Sequence, residues 1–135
     1  MKMNENIMRT LEKVAKNADE HWAKVSSAVV YKGRIVSIGT NKKKSHPFQA
    51  RFGETEYSIF LHAEISAIKN ALREISIDDM KKADLYVCRV KKEKQYSKQF
   101  VCGIAKPCCG CERAIVEFGI KNVYYTNNEG QISRL

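Results

Sequence analysis

Three cysteines fall within four positions of this chain, Cys108, Cys109 and Cys111, directly after Pro107. Proline suits the first turn of a helix, and the apolar residues that follow keep helical spacing until Gly119 provides a C-terminal cap. Cys108 and Cys111 are three positions apart, so both thiols point to one side of the helix start. Free N–H groups and the helix dipole favour thiolates there. The segment therefore predicts a helix whose N-terminus presents two metal ligands.

A second short motif, His62-Ala63-Glu64, opens another predicted helix over residues 61–75. The imidazole of His62 with the thiolates of Cys108 and Cys111 makes three zinc ligands and leaves a fourth position open. Three protein ligands plus a water is the catalytic arrangement of zinc. Glu64 is not needed as a ligand, and we expect it to carry protons between water and substrate.

The chain has five cysteines and begins without an apolar export signal, which argues against a disulfide framework. The alternative use of the metal is a structural site of three cysteines and one histidine. Its fourth ligand would be Cys88, Cys102 or Cys109. Cys88 lies in an apolar run and is expected to be buried, while Cys109 points away from its neighbour Cys108 on the helix.

Periodicity and turn residues predict the remaining elements. In chain order they are helix 4–18, strands 25–31 and 34–38, helix 61–75, strand 85–90, helix 108–118, and strands 122–126 and 131–135. Residues 40–59 form a long loop without periodicity, residues 91–98 an exposed loop, and residues 100–104 either pack near the site or extend. The order indicates a mixed sheet flanked by helices. We expect residues 1–135 to form one domain.

Together the motifs read H-x-E … P-C-x-x-C, and over residues 25–125 the chain resembles the cytidine and deoxycytidylate deaminase superfamily. The resemblance implies an α/β fold: a three-layer α-β-α sandwich with a five-stranded mixed sheet and helices on both faces. It also implies one catalytic Zn²⁺ per chain, held by His62, Cys108 and Cys111. Substrate contacts are expected at Asn41, through the sugar, and at Ala63.

Residues 44–47 and 106–108 are similar to small phage-encoded, deoxycytidylate deaminase-like proteins. The end of the chain points elsewhere, because residues 127–135 are predicted to return as a hairpin. In the superfamily an antiparallel last pair of strands resembles free-nucleoside deaminases. A helix between the last two strands resembles the nucleotide, tRNA and polynucleotide branch.

The first expectation for the substrate is a dCMP-like nucleotide that is hydrolysed to the uracil form with release of ammonia. Lys44 and Arg51, in the basic loop after Asn41, are the candidate ligands of its 5′-phosphate. One alternative is free cytidine or deoxycytidine. Another is cytosine or adenine in single-stranded nucleic acid, where aromatic residues of the loop would stack on a base. Those residues are Phe48, Phe52, Tyr57 and Phe60.

The formal net charge of +9 is compatible with binding single-stranded nucleic acid. A different class of function is a catalytically inactive zinc domain that binds nucleic acid. No apolar run is long enough to cross a membrane, so we expect no membrane partner and a cytoplasmic location, in the host cytoplasm if the protein is phage-encoded. The resemblance also implies a homo-oligomer.

Overall fold

A computed structural model describes residues 2–17, 24–42, 62–92 and 100–135 of the chain. Within these ranges it forms four helices and six strands. In chain order they are α1 Lys2–Lys16, β1 Lys24–Tyr31, β2 Arg34–Thr40, α2 Ala63–Ala71, α3 Ile77–Met80, β3 Asp84–Lys92, β4 Phe100–Gly103, α4 Cys109–Phe118, β5 Asn122–Thr126 and β6 Ile132–Arg134.

The strands form one mixed sheet with the order β2-β1-β3-β5-β6. Only β3 and β5 pair in parallel; β1–β2, β1–β3 and β5–β6 are antiparallel. The five-stranded path expected from the sequence is confirmed, and a sixth strand is added to it. This strand, β4, pairs with the second half of β3 on the edge whose first half is taken by β5.

Side-chain alternation along β3 divides the core into two layers. Leu85 and Val87 pack with α2 and α4 on one face. Tyr86, Cys88 and Val90 pack under α1 on the other face. Helices therefore cover both faces, which confirms the three-layer α/β architecture. No helix in the described part of the chain is long and apolar enough to span a membrane.

Local backbone conformation explains the turn of the first hairpin and the end of α4. Lys32 and Gly33 both have positive φ, 53° and 76°, as the two-residue turn between β1 and β2 requires. Gly119 caps α4 with φ 70°, and the N–H of Ile120 reaches back to the carbonyl of Ile115. The final β5–β6 pair is antiparallel, so the predicted hairpin return is confirmed.

Several predicted boundaries were wrong by one to four residues, and two of these differences affect the core and the sheet. The helix predicted over 61–75 ends at Ala71, and Ile75 reaches the core from a turn rather than from the helix. A short helix, α3, follows, with Ser76 as its N-cap. In the predicted loop 91–98, residues 91 and 92 instead extend β3, where they pair with β4. Nonlocal pairing overrides the polar composition at this point.

Candidate metal centre

His62 stands at the N-cap of α2, in an extended conformation with φ −81° and ψ 154°. The position of this helix follows from Gly39 near the end of β2. A Cβ atom on Gly39 would lie 2.5 Å from Ala67 N and 2.6 Å from Ala63 O, so only a residue without a side chain allows this approach. The close contact brings the first turn of α2, and with it His62, to the end of the sheet.

Cys108 and Cys111 occupy the start of α4 as their spacing predicts. Cys108 is the N-cap with φ −73° and ψ 172°, and its carbonyl accepts the N–H of Glu112 at 2.8 Å. Cys111 lies in the first turn and is fully buried, while Cys108 is exposed. The two thiols therefore span the distance from the core to the surface at the N-terminus of one helix.

The structure brings the three predicted ligands together. Nδ1 of His62 is 3.5 Å from Sγ of Cys108 and 3.4 Å from Sγ of Cys111, and all three ligand atoms lie within 4.8 Å of one another. For Zn–S near 2.3 Å and Zn–N near 2.0 Å, a tetrahedral site has a sulfur–nitrogen edge of about 3.5 Å. The observed edges match this value. One imidazole and two thiols also form a donor set that zinc prefers, so the residues fit the ion.

Hydrogen bonds distribute protons unevenly among these groups. A hydrogen bond from the Cys111 thiol, with a second from His62, lowers the pKa of Cys108 to about 3. The hydrogen bond between His62 and Cys108 raises the pKa of the imidazole. The pKa of the Cys111 thiol is also raised, because the thiol donates its proton to Cys108 and because it is buried. Negative charge therefore collects first on Cys108, at the positive end of α4.

Glu64 follows His62 by two positions and lies in the first turn of α2. Only 6% of the residue is exposed, although it carries an ionisable group. Burial raises the pKa of its carboxyl above the ordinary value, and its closest charged or polar neighbours include His62, Cys108 and Cys111. A carboxyl whose pKa is raised, beside a cluster of metal-ligand type, is placed to accept a proton and to return it.

A protein-family model for the cytidine and deoxycytidylate deaminase zinc-binding region matches residues 1–127. The chain belongs to this family. No curated protein sequence matches the chain. The match covers the motifs of both helices, so the zinc-binding region of the family is the region described above.

Several solved structures share the fold of this chain. One is the dCMP deaminase from the cyanophage S-TIM5 in complex with dCMP and dUMP, at 24% identity and a TM-score of 0.63, covering 93% of this chain and 82% of that chain. Its apo form gives 24% identity, a TM-score of 0.60 and coverage of 93% and 83%. The third is the diaminohydroxyphosphoribosylaminopyrimidine deaminase/5-amino-6-(5-phosphoribosylamino)uracil reductase of Thermotoga maritima, at 23% identity and a TM-score of 0.53, covering 93% of this chain and 30% of that chain.

Two other cysteines of this deaminase-family chain, Cys88 and Cys102, lie away from the cluster. Cys88 is buried, as predicted, in the layer under α1. Cys102 pairs with Val90, whose side chain belongs to the same layer, so it also faces α1. Neither residue is therefore placed to serve as a fourth ligand. The side chain of Cys109 lies outside the described part of the structure.

The predicted substrate-binding residues have different outcomes. The Asn41 side chain accepts the N–H of Val25 through Oδ1 at 3.0 Å, so part of its amide holds the end of β2 against β1. Ala63 is fully buried. Lys44 and Arg51 lie outside the described residues, as do the four aromatic residues of the predicted loop.

Sequence reasoning missed Gly39 and Thr126 as residues that position the site. Thr126, at the end of β5, accepts the N–H of Arg89 at 3.2 Å and donates to the carbonyl of Gly103 at 2.8 Å. Its own carbonyl accepts the N–H of Ala105 at 2.9 Å. These bonds fix the segment that leads to Cys108. The sequence signal for Gly39 was its position shortly before Asn41, at the end of a predicted strand. No sequence signal pointed to Thr126.

Proposed function

We propose that this family member is a zinc-dependent hydrolytic deaminase that converts a dCMP-like cytosine nucleotide to the uracil form and releases ammonia. The observation that carries the proposal is the convergence of His62, Cys108 and Cys111 beside the buried carboxyl of Glu64. A purely structural metal site has no use for a buried carboxylate at its side. The overall reaction replaces the exocyclic C–NH₂ of the base with C=O and consumes one water.

His62, Cys108 and Cys111 would hold the ion. When bound, zinc supplies Lewis acidity, which lowers the pKa of a coordinated water towards neutrality. Among the described residues three ligand-type side chains converge, which would leave a fourth position for the reactant. His62 and Cys108 are the N-caps of α2 and α4, so both helix N-termini lie at the cluster, where their free N–H groups would stabilise negative charge.

Glu64 would move the protons of the reaction. Its carboxylate oxygen accepts a proton from the attacking water and then delivers it to the ring nitrogen, and a second transfer protonates the leaving amine. Burial supports this role, because it raises the pKa of the carboxyl and so makes Glu64 a stronger proton acceptor.

Support for a nucleotide comes from family membership and from the phage dCMP deaminase, whose structure is in complex with dCMP and dUMP. Asn41, at the end of β2, is proposed to meet the sugar, and Ala63 to contact the substrate next to the metal. Lys44 and Arg51 remain candidates for the phosphate. The positive net charge of +9 favours an anionic substrate over a neutral one.

A free nucleoside is the second candidate, and one observation favours it. The β5–β6 pair is antiparallel, which resembles the free-nucleoside deaminases of the superfamily. Cytosine or adenine in single-stranded nucleic acid, and an inactive zinc domain that binds nucleic acid, remain open predictions from the sequence. A single domain over residues 1–135, a homo-oligomer and a cytoplasmic location also remain predictions.

The test compares wild type with Glu64→Gln, which keeps the size of the side chain and removes its proton-accepting carboxylate. Zinc content is measured by atomic absorption, and ammonia release is measured with dCMP, deoxycytidine and a cytosine-containing oligonucleotide. We expect dCMP to be the best substrate, and Glu64→Gln to keep zinc but lose at least about 100-fold in turnover.

Glu74→Gln is the matched control, because Glu74 is exposed just beyond α2 and its substitution removes the same charge. It should retain full activity. Turnover of the oligonucleotide alone would contradict the nucleotide proposal. Zinc content with salt-sensitive oligonucleotide binding, and no ammonia from any substrate, would support the inactive zinc domain instead.

A further inference from the structure

Arg89, in the second half of β3, has a buried hydrogen-bond donor without an acceptor. Its Nε atom is shielded from solvent, and no acceptor among the described residues bonds to it. Such unpaired buried donors are rare in native proteins, because the lost hydration is not replaced. No carboxylate among the described residues forms an ion pair with Arg89. Within the described part of the chain, the guanidinium charge therefore lacks a counter-charge and its Nε–H lacks an acceptor, and an anionic ligand would supply both.

Strand alternation places Arg89 on the face of the sheet that holds the metal cluster. Leu85 and Val87 pack with α2 and α4, and Arg89 is the next residue of the same set. Its neighbour across β1 is Val25, which packs against the same layer. The guanidinium therefore belongs to the layer of α2 and α4, on the opposite side of the sheet from α1.

On the β4 side, Arg89 lies beside the segment that leads to the metal ligands. Gly103 is its cross-strand partner, and the Arg89 Cδ lies 3.3 Å from where a Cβ on Gly103 would be. Glycine thus leaves room for the aliphatic part of the arginine. Nη1 donates weakly to the carbonyl of Ile104 at 3.5 Å, four residues before Cys108.

On the β1 side, Arg89 shares a cross-strand row with Asn41. The N–H of Asn41 donates to the Val25 carbonyl at 3.2 Å, and its Oδ1 accepts the Val25 N–H. Val25 in turn pairs with Arg89. Asn41 is the proposed sugar contact, and a 5′-phosphate is attached to that sugar. A phosphate group of the substrate would therefore lie near this row.

We propose that Arg89 binds the 5′-phosphate of a pyrimidine nucleotide and makes the site prefer nucleotides to nucleosides. Nε–H and Nη2–H share one edge of the guanidinium, and this edge matches two phosphate oxygens. Nη1, on the other side, is directed to Ile104 and holds the plane in place. This inference rests on the proposed function, since it assigns the phosphate contact of that same site.

Arg89→Met is the main test, because methionine keeps much of the packing beside Gly103 and removes the guanidinium. Arg89→Lys keeps the charge and loses the two-pronged edge. Arg34→Met is the matched control: Arg34 is exposed at the start of β2, at the opposite end of the β1–β2 hairpin from Asn41, and the change in net charge is identical. Binding of dUMP and of deoxyuridine to each zinc-loaded protein is measured by calorimetry, with thermal unfolding as a check on folding.

We expect Arg89→Met to weaken dUMP binding by about 10- to 100-fold and to change deoxyuridine binding by less than about 3-fold. Arg89→Lys should give a smaller loss for dUMP, and Arg34→Met none. Equal losses for both ligands, unchanged dUMP binding, or a wild-type protein that binds both ligands equally would overturn the inference. If Arg89→Met does not fold, the ratio of dUMP to deoxyuridine affinity in Arg89→Lys decides.

Turnover separates this inference from the proposed function. Wild-type protein that releases no ammonia from dCMP or deoxycytidine, yet binds dUMP through Arg89, would refute deamination and leave the phosphate contact standing. Wild-type protein that deaminates dCMP with dUMP affinity insensitive to Arg89→Met would refute the phosphate contact alone.

Discussion

Gly39→Ala tests whether the close approach of β2 to α2 sets the geometry of the metal centre. The added methyl group would lie 2.5 Å from Ala67 N and 2.6 Å from Ala63 O. Ordinary contact begins at 3.4 Å, so the nearest atoms have to separate by 0.9 Å, the difference between 3.4 and 2.5 Å. Both are backbone atoms of α2, so no side-chain rotation can relieve the clash. The helix itself has to move.

Overpacking of this kind costs about 1–3 kcal/mol. For a domain of this size the melting temperature falls by roughly 4 °C per kcal/mol. The shift also displaces His62 and Glu64, which α2 carries, and a misplacement of about 1 Å can lower turnover by about 100-fold. We therefore expect the Gly39→Ala protein to fold and to melt at a lower temperature than wild type. Its kcat at saturating zinc should be about 10- to 100-fold lower.

Gly130→Ala is the control for destabilisation without movement of the site. Gly130 has φ +77° and nothing within 4 Å of an added Cβ, so alanine is strained by about 1–2 kcal/mol but displaces no helix. It should melt lower and keep wild-type kcat. If there were no clash, replacing Gly39 with alanine would stabilise the folded protein by about 0.5–1 kcal/mol, because alanine restricts the unfolded chain more than glycine does. A Gly39→Ala protein that melts at or above wild type, with unchanged kcat, would refute this reasoning.

Three further predictions concern ligands, hydrogen bonds and pH. Cys111→Ser should lower zinc content well below one ion per chain by atomic absorption, while Cys88→Ala should leave zinc content unchanged, because Cys88 faces α1. Thr126→Val leaves the N–H of Arg89 and the carbonyl of Gly103 without their partner, so urea unfolding should show a loss of about 1–3 kcal/mol; an unchanged midpoint would contradict this. Burial raises the pKa of Cys88 from 9.0 to about 12, so its contribution to stability is complete below pH 9 and is lost as pH rises towards 12, at about 1.4 kcal/mol per pH unit. Urea unfolding of wild type and Cys88→Ala between pH 8.5 and 11 checks this prediction. The free energy of unfolding should fall more steeply with pH in wild type, and equal slopes would exclude the prediction.

Local spacing was enough to predict that Cys108 and Cys111 lie on one side of a helix start. Cys108 and Cys111 face one side because a helix turns by 3.6 residues, and this holds wherever the helix packs. The turn at Lys32 and Gly33 and the cap at Gly119 were predictable for the same reason, since backbone sterics act within a few residues. The end of the helix predicted over 61–75 was not, because Ile75 satisfies the apolar pattern from a turn and still reaches the core.

The sequence by itself determined which residues can bind a metal and on which helix starts they lie. Only the tertiary structure decided that His62 and Cys108, 46 positions apart, approach to 3.5 Å, and that Arg89 lies in one row with Asn41. The physical reason is that strand register and helix docking are set by contacts between distant segments, such as the backbone approach at Gly39. Periodicity describes one element at a time, whereas the site is built where several elements meet.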